Sequence, residues 1–336
     1  MISTLLQCRP VVDCMKRSAG VWRRAARPRR NTAIGPRVPT VLAVVAAVAL
    51  TVAGAATAHT QRSSVAPQWI VFAADPPGLG VEQIFRITAS GKGLKQLTKG
   101  TYPSESPAFS PNGKRIAFAR LGAGIFTMNI NGTGLRRLTS NARDVRPAWS
   151  PDGKQIAFLR PLASGWKVFV MSASGGKEHR LPLAPSAGRP SWTTHGLLIP
   201  TSGDLARIDQ KTGRVQKLFG ARIDATGGMD TTAVSPDLST ITYVGPRPPV
   251  PGDKGCGEGI PCAVFGLYVE NLRKHTPPRI LAPNTGPASF SPNGERLAYV
   301  ARNRMVFRLL KSGKSTTVRT GKVVPTTTSP PAWQPR

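Results

Sequence analysis

The sequence predicts an all-β, six-bladed β-propeller closed by its C-terminal strand and preceded by one N-terminal transmembrane helix or signal peptide. A short phrase returns six times: PAFSPNG at 107–113, PAWSPDG at 147–153, PSWTTHG at 190–196, TAVSPDL at 232–238, ASFSPNG at 288–294 and PAWQPR at 331–336. Its large residues, Phe109, Trp149, Trp192, Val234, Phe290 and Trp333, are spaced by 40, 43, 42, 56 and 43 positions, a period that suits one blade of short strands per repeat. The first set of strands lacks the phrase, and the last phrase has no strands after it. The tail therefore completes the blade begun at the head, which leaves no sheet edge unpaired.

Residues 1–37 carry eight arginines and Lys16 against a single acid, Asp13. This net +8 segment is read as a basic cytoplasmic flank. Residues 38–58 contain the uncharged run Val41–Ala58, 18 residues long with five valines and two leucines. That is just long enough to span a bilayer. Ala56-Thr57-Ala58 also fits the small-x-small pattern of signal-peptide cleavage. The run is an anchor or a signal-peptide core, and both readings put the following domain outside the cytoplasm. A linker (59–66) leads to the propeller at 67–336.

In the first blade the later strands are Trp69–Ala73, Gln83–Thr88 and Leu94–Thr98. In the second, the inner strand ends at Phe109. Ser110-Pro111-Asn112-Gly113 turns the chain, with proline presetting φ and glycine supplying a positive φ. Arg115–Ala119 alternates its faces, and Ile125–Ile130 runs into the hairpin dipeptide Asn131-Gly132. The third blade repeats this in PAWSPDG, KQIAFLR and WKVFVMSASGG. The fourth departs from it, with Thr193-Thr194-His195 in place of the proline turn. The fifth has Leu238 where glycine is expected and is stretched by an insertion. The irregular Val323–Pro331 joins the sixth blade to the closing strand.

The phrase P-A-W-S-P-D-G-K-x-I-A-F, followed by a strand such as VFVMS, a glycine turn and an R-L-T ending, resembles the TolB-type (WD-repeat-like) β-propeller repeat. The resemblance covers about Pro67–Arg336. It implies a propeller that serves as a binding scaffold in the bacterial cell envelope. The α/β domain that precedes the propeller in TolB has no counterpart between His59 and Pro67.

Cys256 and Cys262 lie in CGEGIPC within the fifth-blade insertion, and in an exported domain they are expected to form a local disulfide. A metal or redox pair is the other reading of them. The chain carries a formal charge of +30, of which +22 falls beyond residue 58. Such a field attracts polyanions, and outside the cytoplasm these are lipid headgroups, anionic polymers or acidic protein faces rather than nucleic acid.

Binding residues are expected at the mouth of the central channel, on the face opposite the S-P-D-G turns. Glu105, Asp144, Arg146, Arg189 and Asp230 fall just before inner strands. Arg120 and Arg160 end the second strands in IAFAR and IAFLR, where recurring arginines suit a carboxylate or phosphate. The bland reading of these charges is a solvated strand end or an inter-blade ion pair. Catalysis is not expected: there is no G-x-S-x-G, and the four histidines are scattered. A channel Ca²⁺ site would have to draw on Glu105, Asp144, Asp224 and Asp230, against a positive field. No cofactor is implied. The sequence reading is a non-catalytic protein-binding scaffold. Its rivals are polyanion binding through the basic face and, more remotely, a metal-dependent hydrolase.

Overall fold

A computed structural model describes residues 68–335, apart from 183–187, 202–203, 210–213, 220–231, 248–263 and 275–276. All of these belong to the compact unit Ser63–Arg336. The leader, Asp224, Asp230 and both insertion cysteines lie outside the described residues. Among the described residues, no helix is long and apolar enough to cross a membrane.

The described chain forms six antiparallel sheets. Blade two shows the plan: Ser104–Phe109 innermost, then Arg115–Arg120, Gly124–Asn129 and Arg136–Arg137. Blade three follows with Val145–Trp149, Gln155–Leu162, Gly165–Ser172 and Glu178–Arg180. Blades four, five and six begin at Ser191–Thr193, Ala233–Val234 and Ser289–Phe290. Blade one consists of Trp69–Asp75, Gln83–Thr88 and Lys95–Gln96, with its inner strand supplied from the tail. There Ile70 pairs with Trp333 and Val71 with Ala332.

The joining segment also takes part in that sheet, because Val324–Pro325 pairs with Ala74 and Asp75. Gln334 clasps the junction. Its N–H donates to the Trp69 carbonyl at 2.8 Å, its side-chain oxygen accepts from the Trp69 N–H at 3.1 Å, and its side-chain nitrogen donates to the Gly113 carbonyl at 3.1 Å.

The core runs around the ring because each second strand buries both of its faces. Phe72, Phe118 and Phe158 are almost wholly buried at matching positions. Apolar clusters join blade one to blade two, blade two through three to four, four to five, five to six, and six back to one. In the last of these, Trp333 packs edge-on against Phe307 at 5.3 Å and donates its indole N–H to the Ser289 carbonyl at 3.2 Å.

The turns after the inner strands hold their shape by a repeated side-chain device. The Ser110 hydroxyl donates to the Asn112 side-chain Oδ1 at 2.8 Å and accepts the Arg115 N–H at 2.9 Å. Ser150 with Asp152, Ser235 with Asp237, and Ser291 with Asn293 repeat the first bond. Gly113, Gly153 and Gly294 take the left-handed conformation that this turn requires. Leu238 takes it too, at φ 55°. A side chain there costs about 1–3 kcal/mol, offset by packing of Leu238 on the Leu198, Leu205, Ile241 and Leu272 cluster.

Blade four replaces the turn with a tighter hairpin, in which Thr193 pairs directly with Gly196. Gly196 sits at φ 123°, and a Cβ there would lie 2.8 Å from the Ile208 carbonyl. Gly196→Ala is expected to destabilise the domain by more than about 1 kcal/mol, read as a fall in the urea midpoint.

The same turns set an acid-side limit on stability. The Ser235 and Ser239 hydroxyls hold the exposed Asp237 carboxyl down at about 2, from an ordinary 3.8. Asp152 is shifted the same way, chiefly by the Ser150 hydroxyl. A carboxyl depressed by folding adds stability above its unfolded pKa and loses it as pH falls through the folded one. Melting temperature is therefore expected to fall from about pH 4 to pH 2, with a flatter profile in that window for Asp237→Asn. An identical profile in the variant would contradict the assignment.

Candidate functional site

Two faces follow from the strand order. One carries the turns between first and second strands and between third and fourth. The other carries the loops between second and third strands and those leading into each inner strand. The expected site residues other than Asp230, which lies outside the described residues, belong to this second face, and the fold uses them in different ways.

A bulge in the inner strands shapes the channel. Pairing jumps between Glu105 and Ala108 in blade two, and between Val145 and Ala148 in blade three. The residues before the two prolines, Ser106 and Arg146, have φ of 53° and 58°, a region rare for any residue other than glycine. Bulges redirect backbone groups. Here the carbonyls of Ser106, Pro107 and Pro147 converge on the Arg189 guanidinium at 3.1, 3.0 and 3.2 Å. Arg189 thus binds the inner segments of three consecutive blades together inside the channel.

A cavity of about 340 Å³ continues from Arg189 toward the S-P-D-G turns, where Pro236, Pro292 and Pro335 line it. It lies at the turn end of the channel, not at the mouth where the charged residues were expected to converge. Prolines, alanines and the aromatic marker residues, among them Trp149 and Trp192, line it together with Ser191, Ser289 and Ser291.

Arg160 does not face the channel. Its guanidinium lies over the Phe169 ring at 4.5 Å and the Phe158 ring at 5.5 Å. It donates to both oxygens of the fully buried Asp144, at 2.6 and 2.7 Å, and to Glu178 at 2.5 Å. The Asp144 hydrogen bonds are the main reason its pKa is raised. Two of the expected binding residues therefore form one internal ion cluster within blade three, and Glu178 is the member that the sequence did not suggest.

Arg120 occupies the matching place in blade two, over Phe126 at 5.0 Å and Phe118 at 5.8 Å. Desolvation lowers its pKa. Arg146 lies over Trp166 at 5.6 Å. Glu105 sits between Ser104 and Ser106 on the strand that opposes Arg120.

Around these half-buried charges the same face exposes large apolar side chains. Leu79 is 54% exposed, Tyr102 56% and Leu162 37%. The sequence carried a weak trace of them in G-L-G and T-Y-P-S, apolar residues inside otherwise turn-like segments. Among the described residues, no three His, Cys, Asp or Glu side chains come together as a metal site would need.

Comparison with known proteins agrees with this architecture. The family model of the TolB beta propeller domain matches residues 68–245, just over half of the chain. TolB from Acinetobacter baumannii superposes with a TM-score of 0.60 at 20% identity, over 80% of this chain and 67% of its own. A chain of the nidogen/laminin complex gives 0.58 at 11% identity, over 80% and 98%. The hydrazine synthase of Kuenenia stuttgartiensis gives 0.55 at 13% identity, over 80% and 47%. At such identities the likeness is one of fold, shared by an enzyme as well as by proteins of other kinds. No curated protein sequence matches the chain.

Proposed function

This chain belongs to the TolB β-propeller family, and from that premise we propose that it is a non-catalytic scaffold that binds a protein partner outside the cytoplasm. Residues 38–58 would tether it to the membrane or be removed after export. The partner docks on the face that carries the loops into the inner strands. One observation carries this reading: Leu79, Tyr102 and Leu162 stand exposed on the face that also holds the half-buried Arg120 and Arg146. Solvent-exposed aliphatic and aromatic side chains next to partly desolvated arginines are the composition of a protein interface.

In-cell photocross-linking tests the proposal. A photoreactive residue at Leu79 or Tyr102 is expected to capture one protein reproducibly. The same residue at Leu135, exposed on the opposite face, is expected to capture none. Equal capture at both places would refute the assigned face.

The +22 charge beyond residue 58 favours a second reading, in which an anionic polymer or lipid surface is the ligand. Salt separates the two. Retention on anionic vesicles carried by many dispersed cations collapses between low and moderate ionic strength, whereas a largely apolar protein contact persists.

A further inference from the structure

Blades two and three correspond residue by residue in this region. Arg160 binds Asp144, the residue just before the Val145–Leu159 pair, and opposite Arg120 stands Ser104. Glu178 lies across from Met171, one position before the His179–Val170 pair; in blade two the residue one position before the matching Arg136–Thr127 pair is Leu135. Phe118 and Phe126 match Phe158 and Phe169 in both stacking and contact with the arginine. Blade two has thus kept the arginine and its two-ring seat but replaced both carboxylates. Arg120 remains half-buried there, and no described carboxylate forms an ion pair with it. Among the described residues, its Nε atom and the hydroxyls of Ser104 and Ser106, both serines wholly buried, find no hydrogen-bond partner. Buried donors left unmade destabilise the fold, and a desolvated cation without a counter-charge does so more strongly.

We propose that Arg120, seated over Phe118 and Phe126 beside the Ser104 hydroxyl, recognises a carboxylate supplied from outside the chain, in the place that Asp144 fills in blade three. The planar fork of the guanidinium suits a two-oxygen acceptor, and the serine hydroxyl adds a third donor to it. Tyr102, whose ring lies 3.4 Å from where a Cβ on Gly122 would stand, flanks the approach. The source of the carboxylate, an acidic side chain or a chain terminus of the docked protein, follows from the proposed function; the site itself does not depend on that reading.

Thermal melts of the full chain test the site, with acetate exchanged for chloride at constant ionic strength and pH. The melting temperature is expected to rise with acetate in the wild type and to be indifferent to it in Arg120→Gln. Ser104→Asp restores the internal pair, so it is expected to melt about 3 °C higher in chloride and to ignore acetate. Two peptides then separate the sources: an amidated peptide with one internal aspartate, and an acetylated alanine peptide with a free C-terminus. Whichever protects the wild type but not Arg120→Gln identifies the carboxylate. An acetate response of equal size in Arg120→Gln overturns the proposal, as does a Ser104→Asp chain that melts below wild type. A response to phosphate without one to acetate also overturns it. If acetate acts at Arg120 while cross-linking captures no protein, the site stands and the partner reading falls.

Discussion

A chain shortened to end at Thr328 is expected to melt at least about 10 °C lower and over a broader range than the full chain. The lost residues include Trp333, whose burial contributes roughly 2–3 kcal/mol, and the hydrogen bonds of Gln334 to Trp69 and Gly113, each worth about 1 kcal/mol net. Ser329 also goes, and with it the bond its hydroxyl accepts from the Ser106 N–H across the boundary between blades one and two. Together these sum to about 5 kcal/mol, and a domain of this size shifts by about 2–4 °C per kcal/mol. Hydrogen exchange gives the location. Amides of Trp69–Asp75 and Ser289–Phe290 are expected to lose protection first, because Trp333 touches both strands. The single change Trp333→Ala is expected to cost about 3–5 kcal/mol. A truncated chain that melts like the full one would mean that the sheet shared by head and tail does not hold the ring.

The second large effect is expected at Asp144. Removing this carboxylate leaves Arg160, 14% exposed, with Glu178 as its one counter-charge among the described residues. Breaking one side of a buried pair costs about 3–5 kcal/mol, much of it the penalty of the stranded charge. Asp144→Ala should therefore lower the urea midpoint strongly, while Asp144→Ala with Arg160→Met should recover much of the loss. A double variant no more stable than the single one would show that Asp144 acts by shaping its loop and not by neutralising Arg160.

Much of this architecture was legible in the chain. The recurring phrase gave the blade count, and the orphan PAWQPR gave the closure, because a strand with a buried tryptophan and no successor needs an existing sheet to join. The S-P-D-G turns were readable for the same reason: serine, a short amide or acid, and glycine each satisfy one local geometric demand. The site was less legible. Arg120 and Arg160 look alike in IAFAR and IAFLR, and only the register across the sheet shows that one faces Asp144 and the other Ser104. Arg189 was legible as a charge placed before an inner strand, but its bracing role was not, since the carbonyls it binds turn inward at bulges set by Ser106 and Arg146. Backbone direction at a strained pre-proline residue is not written in side-chain pattern. Leu238 shows the converse, a turn kept without its glycine because packing outweighs the local cost.

The pairing of Ile70 with Trp333 has a consequence for biosynthesis. The chain is made from its amino end, so the first-made propeller strand lies without an inner neighbour until more than 260 further residues have left the ribosome. Contacts so distant in sequence form slowly, since the intervening polypeptide must be ordered before they are gained. The nascent domain therefore stays unlatched until the strand that carries Trp333 has been made. Locking into its final form awaits the arrival of the last indole.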